Sequence, residues 1–242
     1  GPQAVSELAR FRPGAVRDVY VREDAWVTHA DIVEAAQRAT RWVHPVTAEV
    51  SAALSRDSQG VCAVASADAV SRELPEPSVG ETLVVLAQGR DPGNVGTIIR
   101  TADAFGAVGV ITVSGTVEAT SPKVVRASAG SVFHIPVCVV SSFEEAHALI
   151  HRRSAALLGT SGGAGSLDLS QMLAQGVSGR SRLSQSHAWV FGNEAKGLSG
   201  AEMRLCDALV SIPMTGDAES LNVASAATAC LFASQTVRGM AL

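Results

Sequence analysis

The chain has 242 residues, 47% of them hydrophobic and 17% charged, which is enough apolar material for one large domain or two smaller ones and argues against disorder. A formal net charge of −4 argues against a broadly basic surface, so any contact with RNA must come from local arginines. No apolar run reaches the roughly 18 residues of a membrane-spanning helix, and Cys62, Cys138, Cys206 and Cys230 form no C-x-x-C pair, so buried thiols in a reducing cytoplasm are expected.

In chain order, residues 1–73 read as a small α/β unit, with a strand at 16–21, a helix at 29–40 and a strand at 60–65. The stretch Leu74-Pro75-Glu76-Pro77-Ser78-Val79-Gly80 is predicted to be a linker (74–80), because its two prolines remove backbone donors and restrict their neighbours. From 81 to 242 strands and helices alternate. Strands are predicted at 83–87, 108–113, 135–140, 155–158, 188–191 and 209–212, with helices at 95–105, 143–153 and 222–238. That alternation predicts an α/β domain whose parallel sheet carries helices on both faces. Residues 175–186, rich in Ser, Gly and Arg, are predicted to be a mobile loop.

Several familiar sites fail on spacing. The two lysines, Lys123 and Lys196, follow Pro122 and Ala195, so there is no P-loop, and no G-x-G-x-x-G occurs. Gly159-Thr160-Ser161-Gly162-Gly163 matches a nucleophile elbow, with only Asp168 and His187 downstream in the order a hydrolase needs. His147 and His151 lie four apart but lack the H-E-x-x-H glutamate, and a solvated helix edge is the expected reading; no metal site is predicted.

Three segments carry more. Gln88-Gly89-Arg90-Asp91-Pro92-Gly93-Asn94 runs from a strand through a tight turn, with Asn94 as the expected N-cap of the next helix. At helical spacing Ile98, Ala102 and Phe105 face the core, which sends Gly96, Arg100 and Asp103 outward. There Arg100 either meets a phosphate or pairs with Asp103. Val190-Phe191-Gly192-Asn193-Glu194-Ala195-Lys196-Gly197 is a strand entering a glycine turn with one carboxylate. Ile212-Pro213 ends a strand, and Ser220-Leu221-Asn222 opens a helix of small residues, Ala224, Ala226, Ala227 and Ala229.

In this order the segments N-x-G-x-x-x-R, G-x-E and Ile-Pro…S-L-N resemble the TrmH/SpoU family of SPOUT methyltransferases, and 121–130 also looks like a family segment. The resemblance covers roughly residues 80–242. It implies a methyltransferase domain over 81–242 with a C-terminal deep trefoil knot, an exception to the rule against knots, and a homodimer. It also implies a bound methyl donor, S-adenosyl-L-methionine, with no metal. Residues 1–73 look like the ribosomal-protein-like RNA substrate domain that some members carry.

Carried over by motif, Gly192, Ile212 and Leu221 hold the donor, with the Gly159-Thr160 turn also lining the pocket. Arg100, Asn94, Glu194, Ser220 and Asn222 form the catalytic set. Arg100 clamps a phosphate beside the reacting ribose, Asn94 holds the loop, Glu194 orients Arg100 or the dimer partner, and Ser220 and Asn222 fix substrate and loop. RNA affinity then rests on arginines such as Arg10, Arg12, Arg17, Arg41, Arg90 and Arg126, against the acid of Glu23, Asp24, Asp31 and Glu34. The implied activity is methylation of a ribose 2′-oxygen, in 23S ribosomal RNA before tRNA, with a non-catalytic RNA-binding module as the competing class.

Overall fold

The structure, a computed structural model, describes residues 1–163, 165–176 and 179–240. The first part contains α1 (Pro2–Phe11), β1 (Val16–Arg22), α2 (Glu23–Thr28), α3 (Ala30–Ala39), β2 (Val43–Val46), α4 (Ala48–Leu54) and β3 (Val61–Ala65). β1 is central, parallel to β2 and antiparallel to β3. A bulge between Val16 and Asp18 resets the alternation, so that Val16, Val19 and Val21 are all buried while Asp18 and Tyr20 stay partly open. β1, α3 and β3 lie where the sequence predicts them, whereas α1 was not expected, although its apolar Ala4, Val5, Leu8 and Ala9 recur at helical spacing on one face. The short elements α2, β2 and α4 were not expected either.

Residues 71–81 hold no helix or strand, as the prolines dictate, yet the stretch is no loose tether. Arg153 donates through Nε and Nη2 to the Glu81 carboxylate at 2.7 and 2.8 Å, and through Nη1 to the Pro75 carbonyl at 2.8 Å. Both side chains are buried. Burial pushes the Glu81 carboxyl up, but the hydrogen bonds from Arg153 and Ser78 outweigh it and hold the group below the usual carboxylate range.

The second part runs β4 (Thr82–Leu86), α5 (Pro92–Ala104), β5 (Gly109–Val113), α6 (Pro122–Ala127), β6 (Val137–Val140), α7 (Phe143–Arg152) and β7 (Ala156–Thr160). It continues through β8 (Leu167–Asp168), α8 (Leu169–Gly176), β9 (His187–Phe191), α9 (Gly200–Leu205), β10 (Ala208–Ser211) and α10 (Val223–Met240). The strands form one sheet in the order β6-β5-β4-β9-β7-β10-β8, and every neighbouring pair is parallel. In β4, Val84 and Leu86 join one apolar cluster with α5 and α10, while Leu83 and Val85 join another with α7. β9 divides the same way, Trp189 and Phe191 against Ala188 and Val190. A strand buried on both faces needs apolar residues throughout, which is why these segments read as continuous runs.

The first cluster also takes in Val5, Leu8, Val19 and Ile32, so the small sheet and the large one share a continuous core. Glu7 Oε2 and Asp103 Oδ2 both contact the His134 ring, at 3.1 and 2.8 Å.

Three local expectations are corrected. The N-cap of α5 is Asp91, whose carboxylate accepts from the Asn94 N–H at 2.7 Å with Pro92 in the first turn; Asn94 lies inside the helix. The Asp-Pro pair places the cap, since proline at the first helical position lacks only a donor that would be unpaired anyway. Gly96 does not face outward, because a Cβ there would lie 2.5 Å from that of Ala127 and 2.7 Å from the Val124 carbonyl oxygen; it lets α6 press against α5. Of the predicted loop 175–186, Val177 and Ser178 lie outside the described residues, and Leu183 is fully buried in the core, which fixes the end of that segment.

β9 and α10 are joined by a buried polar knot of side chains. Trp189 Nε1 donates to Ser234 Oγ at 2.8 Å, and His187 Nε2 lies 2.8 Å from the same oxygen. The His187 Nδ1 contact at 2.8 Å is to the Gln185 carbonyl, an acceptor only, so Nδ1 carries the proton and Nε2 accepts from the serine. Burial drives this imidazole down to about 4, and it is neutral in the fold.

Candidate active site

In an open parallel sheet, ligands bind beyond the carboxyl ends of the strands. A cavity of about 460 Å³ lies there, beyond β7, β9 and β10, and is lined by Thr160, Gly192, Ile212 and Leu221. Its walls are mainly apolar, with Leu198, Met203 and Val210, and its charged side chains are Glu194, Lys196 and Glu219. The volume is that of a small-molecule site. Gly192 is required by contact: a Cβ would lie 2.3 Å from the Gly197 carbonyl carbon and 2.5 Å from the Leu198 nitrogen. The loop can close on itself only because that atom is missing. Asn193 holds the closed form, accepting at Oδ1 from the Ala195 and Lys196 N–H groups.

Gly159, expected in the lining, is instead one residue inside β7, buried against Cys206, Leu209 and Leu198. Burial, with the nearby Asp207 and Glu202 charges, pushes the Cys206 thiol up to about 12, so no thiolate is available beside the cavity.

A chain of hydrogen bonds links the three motif segments. The Asp91 N–H donates to Glu194 Oε1 at 3.3 Å, the Asp91 carboxylate accepts from the Asn94 N–H, and Asn94 Oδ1 accepts from Asn222 Nδ2 at 3.0 Å. Asn222 Oδ1 in turn accepts from the Ala224 N–H at 2.8 Å and the Ser225 N–H at 3.3 Å, capping α10. Glu194 therefore meets the turn before α5 and forms no hydrogen bond or ion pair with Arg100. Asp91 and Asn193 were missed by the sequence reading; the Asp-Pro pair and the Gly-Asn turn are the signals that mark them.

Ser220 is exposed on the cavity rim. Arg100 is exposed on α5 and has no side-chain partner among the described residues. Its expected alternative partner, Asp103, is taken by His134. Arg100 is not among the residues lining the cavity.

The arginines expected to meet RNA divide. Arg10, Arg17, Arg41 and Arg90 are exposed. Arg12 is engaged by the Phe133 carbonyl at 3.0 Å and Arg126 by Asp57 at 3.0 Å, so both join the two parts of the chain while staying partly exposed.

The hydrolase alternative fails on geometry. His187 is buried on Ser234, Asp168 accepts from Ser170, and Ser161 Oγ accepts from the Gly163 N–H, so the three residues do not meet. Among the described residues no group of three or more His, Cys, Asp or Glu side chains is arranged to hold a metal ion, and no helix is long and apolar enough to cross a membrane.

Residues 81–232 match the model of the SpoU rRNA Methylase family. The chain is 33% identical to the 23S rRNA (guanosine-2′-O-)-methyltransferase RlmB of Bordetella pertussis, over 97% of its own length and 94% of the relative's. Its fold superposes on the SpoU methyltransferase AviRb of Streptomyces viridochromogenes with a TM-score of 0.80 at 29% identity, covering 98% of this chain and 88% of that one. The same enzyme solved with AdoMet superposes with a TM-score of 0.75, again at 29% identity, over 99% and 88% of the two chains. With its family motifs joined by hydrogen bonds around one cavity and a relative aligned along nearly its whole length, the chain belongs to the SpoU rRNA methylase family.

Proposed function

We propose that the chain transfers a methyl group from S-adenosyl-L-methionine to a ribose 2′-hydroxyl of 23S ribosomal RNA, acting as a cytoplasmic homodimer. The observation that carries this reading is the cavity beyond β7, β9 and β10, lined by Thr160, Gly192, Ile212 and Leu221 and bordered by the Asn94–Asn222 bond. The names of the RlmB relative and of the AdoMet-bound neighbour support it.

The donor set fits the ligand. A mainly apolar slot suits an adenosyl group, and Glu194, Glu219 and Lys196 offer both signs of charge to a molecule that is itself cationic and carboxylated. When bound, the donor supplies an electrophilic sulfonium methyl whose leaving sulfide is neutral, so the transfer needs no metal. Gly192 keeps the slot open, and Asn94, Asn222 and Glu194 hold its walls in register. Ser220, on the rim, contacts the RNA.

Arg100 clamps the phosphate next to the target ribose and stabilises the developing alkoxide. A guanidinium does not readily lose its proton, so a phosphate oxygen or water takes the hydroxyl proton. Because Arg100 stands outside the cavity of its own chain, we assign it to the cavity of the partner subunit in the homodimer. The return from β10 to α10, over residues 212–222, is the segment we assign to the trefoil knot. Residues 1–73 form the RNA substrate domain, joined through 74–80 to the methyltransferase domain at 81–242, and present Arg10, Arg17 and Arg41.

The test is methyl transfer from labelled donor to 23S ribosomal RNA, with the modified position mapped by resistance to alkaline cleavage. Label on a base, or on tRNA alone, would overturn the assignment.

A further inference from the structure

The small sheet carries a feature that the family motifs do not touch. On its outer edge Tyr20 and His44 are directly opposed in the β1–β2 register, and their rings stack at 5.1 Å with 23° between planes. Trp42 continues the run, 6.3 Å from His44 and only 16° off parallel. The Arg41 guanidinium lies 4.7 Å over the Trp42 ring. Asp18 fixes the array from below, its carboxylate 3.0 Å from His44 Nε2.

Hydrogen bonds fix the backbone of this array, and the ring at its end carries only the flexible Arg41 side chain beside His44. Val19 N–H donates to the Trp42 carbonyl, Thr40 Oγ1 donates to the Arg17 carbonyl, and the Trp42 N–H donates to Thr40 Oγ1. Trp42 nevertheless remains 51% exposed, although a buried indole is worth far more to a fold than an open one. The chain has one tyrosine and three tryptophans, so two of these four residues stand on one small surface. Beside them are two exposed arginines, Arg17 and Arg41.

We propose that this surface is a stacking platform for an unpaired nucleotide of the RNA substrate. An unstacked base lies against the Trp42 indole, taking the place over that ring that the Arg41 guanidinium holds in the free protein, and Arg41, so displaced, takes a flanking phosphate together with Arg17. Flat aromatic faces joined to guanidinium groups recognise single-stranded RNA, because every base offers a π-face and every linkage a negative charge. The inference rests on the RNA methyltransferase reading and deepens it: the docked region is a loop or bulge, since a duplex keeps its bases stacked on each other.

The experiment uses the full chain, its Trp42→Ala and Trp42→Phe variants, and a mixed-sequence ten-nucleotide single-stranded RNA carrying a fluorescent label, with binding followed by the anisotropy of the label. Trp42→Ala should weaken binding by on the order of 10-fold, the loss of one stacked base, and Trp42→Phe should recover most of it. In methyl transfer to 23S ribosomal RNA, Trp42→Ala should raise KM for RNA with kcat kept, and calorimetric affinity for S-adenosyl-L-methionine should not change. Oligonucleotide binding by Trp42→Ala equal to that of the parent overturns the platform, as does a loss of binding matched by loss of folding on circular dichroism. If the parent binds the oligonucleotide through Trp42 but methylates no RNA, the platform stands and the functional assignment falls.

Discussion

Asn222 Nδ2 donates to Asn94 Oδ1 at 3.0 Å across 128 residues of chain, while the same Asn222 caps α10 through its Oδ1. One amide thus does two jobs with its two ends: its oxygen satisfies the orphan N–H groups of the last helix, and its nitrogen fastens that helix to the start of α5. The wall of the cavity and the helix bearing Arg100 are positioned relative to each other through this contact.

The two jobs can be separated by substitution. Asn222→Ala should lower the thermal midpoint, with about 1 kcal/mol lost with the cap, and should also depress methyl transfer. Asn222→Asp keeps a good capping oxygen but has no amide to donate. Its stability should stay near the parent's while turnover falls, and turnover in Asn222→Asp equal to the parent's would show that the link to Asn94 is idle.

Gly192→Ala should damage donor binding more than the fold. The added methyl meets the backbone of 197–198 at 2.3–2.5 Å, which the loop can relieve only by opening into the cavity, a strain on the order of 1–3 kcal/mol. Calorimetry with S-adenosyl-L-methionine should show weakened affinity, by 10-fold or so for each ~1.4 kcal/mol that falls on the bound state.

Arg100→Ala should reduce turnover roughly 100-fold or more, the scale of losing one preorganised donor, and leave donor affinity intact. If Arg100 serves the partner's cavity, mixing Arg100→Ala with Gly192→Ala chains restores activity. Random pairing in a two-fold dimer leaves roughly a quarter of the sites complete. Activity no greater than the sum of the separate variants would place the arginine in its own chain's site.

Stability should depend on pH through His187. Its folded-state pKa is lowered to about 4 from an ordinary 6.5, so the unfolded chain binds a proton that the buried ring refuses. The stabilisation is complete above pH 6.5 and is lost as pH falls from 6.5 through about 4, by about 3 kcal/mol in all. Urea midpoints measured across that range should fall for the parent and fall less for His187→Gln.

Removing one member of the buried Arg153–Glu81 pair should be costly, since the other charge is left without a partner. Arg153→Leu should destabilise by about 3–5 kcal/mol, and its denaturation should report the loss without change in donor binding to the remaining folded protein.

What could be read from the sequence was whatever is fixed by neighbours along the chain. Continuous apolar runs such as Leu83-Val84-Val85-Leu86 mark strands covered on both faces, and the helical spacing of Ile98 and Ala102 marks the inner side of α5, because those periods follow from backbone geometry alone. The short elements α2, β2, α4 and β8 carry too few residues to show a period, and their stability comes from what they pack on. The inward Gly96 was misplaced for a related reason: a glycine has no side chain to sort, so only the approach of α6 reveals which way it faces. The site divides along the same line. Its motifs are local, but the bond from Asn222 to Asn94, the use of Asp103 by His134, and the engagement of Arg12 by Phe133 and of Arg126 by Asp57 join residues far apart in the chain. Only tertiary structure decides those, because a hydrogen bond is set by where two atoms meet in space and not by how many residues separate them.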